Sequence, residues 1–180
     1  GGESWSPVTD FIADGDAILT IAISPENPEL VYCSTAPTVT DEARVYKIDV
    51  ANQTVTQMTG LPNRVCMDIT YYPGDETRVF AVFAGFNTEH VWQSVDGGNT
   101  WHSIDNGLPD VPTNSIIIDP NTANFYIAND LGVWYSSSAG EVWNYYSAEA
   151  PQAMLAMHLS IAPDFKLRVA TYGLGVWQTD

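Results

Sequence analysis

Four polar residues recur inside apolar segments and are the residues of this sequence best placed to do chemistry. Each segment closes on a proline, and the residue five positions before that proline is polar in every copy: Thr20, Asp68, Ser115 and His158. Asp68 and His158 would lie in opposite units, across a channel, and a carboxylate that faces an imidazole can form a charge-assisted pair, or hold a cation or a small polar ligand. The alternative is that these four side chains only line a water-filled channel.

Three carboxylates crowd the segment before the first of these copies. Asp10, Asp14 and Asp16 could supply oxygen ligands to calcium, which prefers such ligands. Acidic side chains on a loop of an acidic protein are usually solvated instead. We therefore predict no cofactor and no metal, with calcium at these three aspartates as the alternative.

The remaining reactive residue types form no recognisable catalytic motif. His90 and His102, like His158, lie near no nucleophile motif of the Ser/His/Asp kind, and no carboxylate pair stands out as a glycosidase acid and base. Cys33 and Cys66 have no second cysteine or histidine cluster nearby that would indicate zinc. The two thiols could pair in an oxidising compartment or remain buried and free.

The placement of these residues depends on an internal repeat. Apolar runs that end in proline recur every 43 to 48 residues, closing at Pro25, Pro73, Pro120 and Pro163. A second series recurs every 42 to 46 residues and begins at Val45, Val91, Val133 and Val176. Two independent markers that keep one period indicate four copies of one structural unit.

Each unit reads as a set of short strands. Valine-rich and aromatic runs separated by Pro, Asn, Asp and Gly turns lie around the two markers, and helical periodicity is not evident. Four-stranded units of this length are typical of β-propeller blades. We predict one all-β domain, a β-propeller of four-stranded antiparallel blades with approximate bounds 14–61, 62–109, 110–150, and 151–180 plus 1–9.

The last unit lacks its fourth strand, and the N-terminus offers one. Residues 1–8 match the fourth-strand register of residues 97–104, so an N-terminal strand could close the last blade and cover its edge. The junction is one residue short of a perfect match. Two alternatives remain open: the chain is one end of a propeller with more blades, or two chains build a larger ring.

The segment SVDGGNTW, residues 94–101, resembles the Asp-box, or BNR, repeat of β-propeller proteins such as sialidases, sortilin and xyloglucanases. It matches S-x-D-x-G-x-T-W at Ser94, Asp96, Gly98, Thr100 and Trp101. A degraded copy keeps Ser136, Gly140 and Trp143, and the tail of another is preserved at Gly2, Ser4 and Trp5. The resemblance implies a box between the third and fourth strands, away from the face that binds ligands.

The physics of a tight turn explains the box without catalysis. An aspartate that begins such a turn accepts hydrogen bonds from backbone N–H groups, glycine supplies a positive φ, and tryptophan packs beneath the hairpin. We therefore predict a structural role for Asp96. Sialidases that share the box need converging arginines, whereas Arg78 and Arg168 fall at equivalent places in two different units and would not converge.

The charge and hydropathy of the sequence limit the classes of molecule that could be its partners. The formal net charge of −16 makes nucleic acid and anionic membranes improbable partners, and no apolar run is long enough for a membrane helix. The final segment, ATYGLGVWQTD, resembles the last blade of secreted bacterial Asp-box propellers. That resemblance implies a secreted or cell-surface location.

These observations favour a binding or assembly module over an enzyme. We expect a non-catalytic propeller whose short strand 2–3 and strand 4–1 loops bind a carbohydrate or protein ligand, although loops of this size leave little wall for a deep pocket. One alternative is the propeller portion of a sialidase- or xyloglucanase-like glycoside hydrolase, in which a loop carboxylate such as Asp110 or Asp130 would be essential. Another is a structural subunit that self-associates by exchange of its N-terminal strand.

Overall fold

The protein is all-β, as predicted. The computed structural model describes residues 2, 4–8, 15–37, 42–146, 150–151 and 154–179. These residues form fifteen strands, and among them there is no helix long and apolar enough to cross a membrane. The strands build four antiparallel sheets, which are arranged as the blades of a four-blade β-propeller.

Each sheet is a meander whose strands lie in chain order. The first contains β1 (Ala17–Ile23), β2 (Leu30–Ala36), β3 (Val45–Asp49) and β4 (Thr54–Gln57). The second contains β5 (Cys66–Tyr72), β6 (Asp75–Phe83), β7 (Val91–Ser94) and β8 (His102–Ser103). The third contains β9 (Thr113–Ile118), β10 (Phe125–Asn129), β11 (Gly132–Ser136) and β12 (Asn144–Tyr145). The fourth contains β13 (Ala156–Ile161), β14 (Leu167–Thr171) and β15 (Val176–Gln178).

Apolar side chains fill the spaces between successive blades. In β6, every residue from 79 to 83 is buried, because the sheet packs against a neighbour on both faces. Tyr32 and Met58 of the first blade pack against Ile69 and Phe83 of the second. Equivalent clusters join the second blade to the third and the third to the fourth. The core is therefore a series of interblade layers rather than one central mass.

The predicted closing strand at the N-terminus involves residues 1–9, of which residues 1, 3 and 9 lie outside the described part of the chain. The last sheet has three strands among the described residues, and residues 4–8 form no strand. Trp5 is 95% exposed, so it does not pack beneath a hairpin. The closing strand therefore stays a prediction.

The two cysteines are free thiols rather than a disulfide. Cys33 lies on β2 and Cys66 begins β5, and both are buried. Burial raises the pKa of the Cys33 thiol to about 11 and also raises the pKa of the Cys66 thiol. Both therefore stay protonated at neutral pH and behave as small apolar core residues.

Candidate functional site

The innermost strands carry a hydrogen-bond chain that crosses three blades. Asp68 on β5 accepts hydrogen bonds at Oδ2 from the Ser115 hydroxyl, 2.8 Å away, and from the Ile116 N–H, 3.1 Å away. Its Oδ1 accepts from the Ile69 N–H at 2.9 Å. The Ser115 hydroxyl oxygen in turn accepts from the Leu159 N–H at 3.2 Å. Equivalent polar positions in successive blades are thus connected to one another.

The hydrogen-bond series from Asp68 to Leu159 includes two of the four polar residues that recur before the prolines. Asp68 and Ser115 are in contact, Thr20 is half-buried and His158 is exposed. Removal from water raises the pKa of Asp68, against the hydrogen bonds from Ser115 and Ile116 and the charge of His158, which lower it. Among the described residues, no hydrogen bond joins Asp68 to His158.

The segment that resembles an Asp-box, residues 94–101, forms a braced turn between β7 and β8, which we call the Asp-box turn. Asp96 Oδ1 accepts from the Ser94 hydroxyl and from the Thr100 N–H, each at 2.8 Å, and its Oδ2 accepts from the Thr100 hydroxyl at 2.6 Å. The Ser94 oxygen accepts from the Gly98 N–H at 2.8 Å, and the Trp101 indole donates to the Gly98 carbonyl at 3.0 Å. The five matching residues therefore satisfy one another.

The pKa of the Asp96 carboxyl group is lowered by the groups that surround it. The Thr100 hydroxyl, followed by the Thr100 backbone N–H and the Ser94 hydroxyl, lowers the pKa of Asp96 to about 2. Such a group stays ionised and cannot supply a proton as a general acid near neutral pH. The geometry matches a turn brace.

The degraded copy in the third blade keeps the same turn with weaker groups. Ser138 stands where the aspartate would be and accepts from the Val142 N–H at 3.0 Å. The Ser136 oxygen accepts from the Gly140 N–H, also at 3.0 Å. Trp143 is buried and donates to the Ile104 carbonyl of the second blade at 2.8 Å. A hydroxyl therefore replaces the carboxylate without loss of the hairpin.

Residues of the first blade hold the Asp-box turn from outside, which the sequence did not indicate. The Tyr32 hydroxyl donates to the Gly97 carbonyl at 2.6 Å, and Lys47 Nζ donates to the same oxygen at 2.9 Å. A Cβ at Gly98 would lie only 2.7 Å from both the Met58 sulfur and the Tyr32 hydroxyl. No local motif reports these contacts, because Tyr32 and Gly97 are 65 positions apart.

The loop face of the second blade holds a His90–Asp110 pair that the sequence did not predict either. The His90 ring is buried, with Nε2 3.1 Å from Asp110 Oδ1 and Nδ1 3.1 Å from the Phe83 carbonyl. The Asn87 N–H donates to both Asp110 oxygens, at 2.8 and 3.0 Å. The hydrogen bond from the Asn87 N–H lowers the pKa of Asp110 the most, and the hydrogen bond with the His90 ring lowers it next. The pair joins the β6–β7 loop to the β8–β9 loop.

Asp130, the second loop carboxylate that a hydrolase would need, is also hydrogen-bonded. Asp130, after β10, accepts at 3.0 Å from the Asn114 side-chain amide. The same Asn114 nitrogen donates to the Ala156 carbonyl of the fourth blade at 2.9 Å. Asp110 and Asp130 thus help to position loops.

An open cleft of about 220 Å³ lies on the loop face between the first and second blades. Met58, Leu61 and Phe83 supply apolar lining, and Glu42 and Asn63 supply polar groups. A second hollow, of about 470 Å³, lies at the opposite end of the inner strands beside Pro25, Pro73 and Pro120. The first cleft is open to solvent and combines the two kinds of surface that ligand sites use.

The candidate calcium ligands lie mostly outside the described part of the chain. Asp10 and Asp14 are not among the described residues, and Asp16 is buried. Within the described ranges, no three His, Cys, Asp or Glu side chains are grouped in a way that could hold a metal ion. The calcium site therefore stays a prediction.

Comparison with solved structures shows the fold. The chain is similar to a GH74 enzyme of Niastella koreensis, at 16% identity over 89% of this chain and 28% of that one, with a TM-score of 0.73. It is similar to the extracellular domain of a putative hybrid two-component system from B. thetaiotaomicron, at 14% identity over 98% of this chain and 22% of that one, with a TM-score of 0.72. A third likeness is to an auxiliary nutrient binding protein from Bacteroides thetaiotaomicron, at 11% identity over 92% of this chain and 38% of that one, with a TM-score of 0.67.

These likenesses concern propeller domains of longer proteins. The chain spans 28% or less of the first two structures and 38% of the third. No protein-family model and no curated protein matches the sequence. At these low sequence identities, the similarity shows the propeller fold alone.

Proposed function

We propose that this chain is a non-catalytic β-propeller module that binds a carbohydrate or protein ligand on its loop face. The observation that carries the proposal is the cleft between the first and second blades. Its apolar lining at the half-buried Leu61 suits an apolar part of a ligand, and the polar groups of Glu42 and Asn63 suit hydroxyl or amide partners. An open surface with both apolar and polar groups supports binding.

The state of the loop carboxylates supports binding over hydrolysis. A glycosidase needs one carboxyl group that stays protonated near neutral pH and a second carboxylate facing it. Asp110 has a lowered pKa and is engaged by Asn87 and His90, and Asp130 is engaged by Asn114. The lowered pKa makes Asp110 a poor general acid near neutral pH, and the hydrogen bonds hold both carboxylates against their loops.

We assign the chain to the Asp-box class of propellers, with Asp96 as a turn brace rather than a site residue. Its support is the set of hydrogen bonds that Ser94 and Thr100 make with this carboxylate. No cofactor enters the proposal. Ligand binding at Thr20, Asp68, Ser115 and His158 is less favoured, because Asp68 and Ser115 already satisfy each other.

We propose a secreted or cell-surface location. The similarity to extracellular domains and to a nutrient binding protein supports it, since such proteins meet their ligands outside the cell. The expected partners are glycans or proteins, and the net charge of −16 disfavours nucleic acid.

Binding to a glycan array and to an immobilised peptide library tests the proposal, with the strongest binder then titrated. The exposed Thr59 lines the cleft, so Thr59→Arg should fill the cleft and weaken binding by about tenfold or more. The exposed Thr54 lies on the outer strand β4, away from the cleft lining, and Thr54→Arg is the matched control. Equal loss in both variants would contradict a site in the cleft.

The second candidate function is the propeller part of a glycoside hydrolase. The similarity to a GH74 enzyme favours it at the level of fold. A hydrolysis screen on β-glucans and sialosides separates the two. Turnover that Asp110→Asn or Asp130→Asn abolishes, while the fold is retained, would overturn the binding module.

A further inference from the structure

The outer strands of the first three blades differ in length. β8 and β12 contain two residues each, whereas β4 contains four, Thr54–Gln57. All four are exposed, and among the described residues β4 lies at the open edge of its sheet. An open edge is a template for pairing with another chain, and natural proteins usually keep such strands short or place charges or proline on them. β4 contains no charged residue and no proline.

The register of β4 shows which of its main-chain groups point outward. The Met58 N–H donates to the Val45 carbonyl at 2.8 Å, and antiparallel pairs alternate between hydrogen-bonded and non-hydrogen-bonded positions. The even-numbered residues of β4 therefore bond to β3. The N–H and C=O groups of Val55 and Gln57 point away from β3, toward the open side of the sheet.

The outer strands of the next two blades present shorter edges. The Ile104 N–H donates to the carbonyl that opens β7, and the Tyr146 N–H donates to the Val133 carbonyl, so both strands keep the register of β4. By the same alternation, Ser103 is the outward residue of β8 and Tyr145 is that of β12. Of these three outer strands, β4 alone offers two successive outward residues to an added strand.

The cleft between the first and second blades begins where β4 ends. Gln57, Met58 and Thr59 line it, together with Leu61. An extended segment that pairs with β4 therefore passes the mouth of the cleft, and alternate side chains of a strand point to opposite faces. One side chain of the segment can enter the cleft while its main chain bonds to β4. Strand-addition sites gain affinity from such main-chain pairing and specificity from such pockets.

We propose that the ligand of this propeller is an extended segment of a partner protein, which adds a strand to β4 and places one side chain in the cleft. The inference rests on the proposed function, because it uses the same cleft, and it selects a protein over a carbohydrate. Residues 53–63 carry no charged side chain, and the whole chain has a net charge of −16. A neutral or basic segment is therefore favoured over a second copy of this acidic chain.

Panning of a phage-displayed library of linear peptides against the full chain tests the proposal, alongside the glycan array. We expect enriched peptides that carry β-branched residues and lysine or arginine, and the strongest is then synthesised and titrated by fluorescence anisotropy. Glycan binding without any enriched peptide would overturn this inference and leave the binding module standing. Binding of neither kind would contradict both.

Methylation of the peptide main chain tests strand addition without any change to the protein. Each amide nitrogen of the selected peptide is methylated in turn, which removes one N–H donor. Because successive N–H groups of a strand point in opposite directions, affinity should fall by about tenfold or more at every second position and little at the positions between. Similar effects at successive positions would show that the peptide binds without pairing to the sheet.

Val55→Pro tests the strand β4 itself. Proline removes the outward Val55 N–H, which β3 does not use, and edge strands tolerate proline at such positions. The variant should bind the selected peptide more weakly by about tenfold or more. Val55→Thr is the matched control, because threonine keeps the N–H and the β-branched shape, and it should bind as the wild type does. Circular dichroism checks that both variants fold.

Two results would place the ligand elsewhere. Peptide binding that Thr59→Arg abolishes but Val55→Pro leaves unchanged would refute pairing at β4 and keep the cleft as the site. Native mass spectrometry of the full chain gives the second result. A wild-type dimer that Val55→Pro converts to a monomer would make a second copy the occupant of β4, contrary to the proposal.

Discussion

The Tyr32 hydroxyl lies 2.6 Å from the Gly97 carbonyl and connects the first blade to the Asp-box turn of the second. The same contact leaves no room beside Gly98, where a Cβ would meet the Tyr32 oxygen at 2.7 Å. The box is therefore a piece of the interblade interface as well as a hairpin turn. Its glycine serves two needs, a positive φ of 88° and a close approach.

Gly98→Ala should destabilise the protein more than a glycine substitution that lacks this contact. The left-handed backbone costs a side chain about 1–2 kcal/mol, and overpacking against Tyr32 and Met58 adds about 1–3 kcal/mol. Gly74→Ala is the control, because Gly74 has a φ of 75° but nothing within 4 Å of the point where an alanine methyl group would lie. Urea unfolding measures both free energies. Equal losses would show that the close approach contributes nothing.

The Asp96 brace should give a specific pH dependence. Its folded-state pKa, about 2, lies below the unfolded value, so its stabilisation is complete above the unfolded pKa and is lost as the pH falls toward 2. The free-energy gap between the wild type and Asp96→Asn should therefore narrow between about pH 4 and pH 2. Unfolding titrations at a series of pH values measure this gap. A gap independent of pH would rule out the ionised carboxylate as its source.

Rebuilding the box in the third blade should stabilise the protein. The double variant Ser138→Asp with Val142→Thr supplies the carboxylate and hydroxyl that Asp96 and Thr100 supply in the second blade. We expect a gain of about 1 kcal/mol, since charge-assisted hydrogen bonds replace a hydroxyl contact. Thermal unfolding compares it with the single variant Val142→Thr. No gain over that control would mean that the third hairpin differs in geometry.

Ser115→Ala should weaken the link between the second, third and fourth blades. It removes the donor to Asp68 and the acceptor of the Leu159 N–H, and leaving buried partners unsatisfied costs about 1–3 kcal/mol. Thr56→Ala, at an exposed position on β4, is the control and should change stability by less than about 0.5 kcal/mol. Chemical denaturation measures both. A loss at Ser115 no larger than at Thr56 would refute the bridging role.

The stability of Asp68→Asn relative to the wild type should change with pH in the opposite direction to that of Asp96→Asn. Burial raises the folded-state pKa of Asp68, so this carboxyl favours folding at low pH, and that contribution is lost as the pH rises through its folded pKa. Asparagine keeps an acceptor for Ser115 and carries no charge. The variant should therefore gain stability relative to the wild type as the pH rises from about 4 to 7, in matched unfolding titrations. A relative loss over that range would contradict a raised pKa.

Local features were the most predictable from the sequence. The contacts of Ser94, Asp96 and Thr100 join residues within seven consecutive positions, so the motif contains the donors, the acceptor and the turn. The pairing of Asp68 with Ser115 was not predictable in this detail. The sequence placed both at equivalent positions, but it suggested that Asp68 faces His158 across a channel, whereas the structure hydrogen-bonds Asp68 to the adjacent blade.

By itself, the amino-acid sequence determined the four units, their β-strands and the braced hairpin, because the alternation of side chains and turn chemistry act over a few residues. The tertiary structure alone decided which blade faces met and why Tyr32 approaches Gly97. The sequence predicted an N-terminal strand closing the last blade, and the described residues do not form it. Contacts between sheets depend on how the blades are oriented about their axis, and no local pattern contains that orientation.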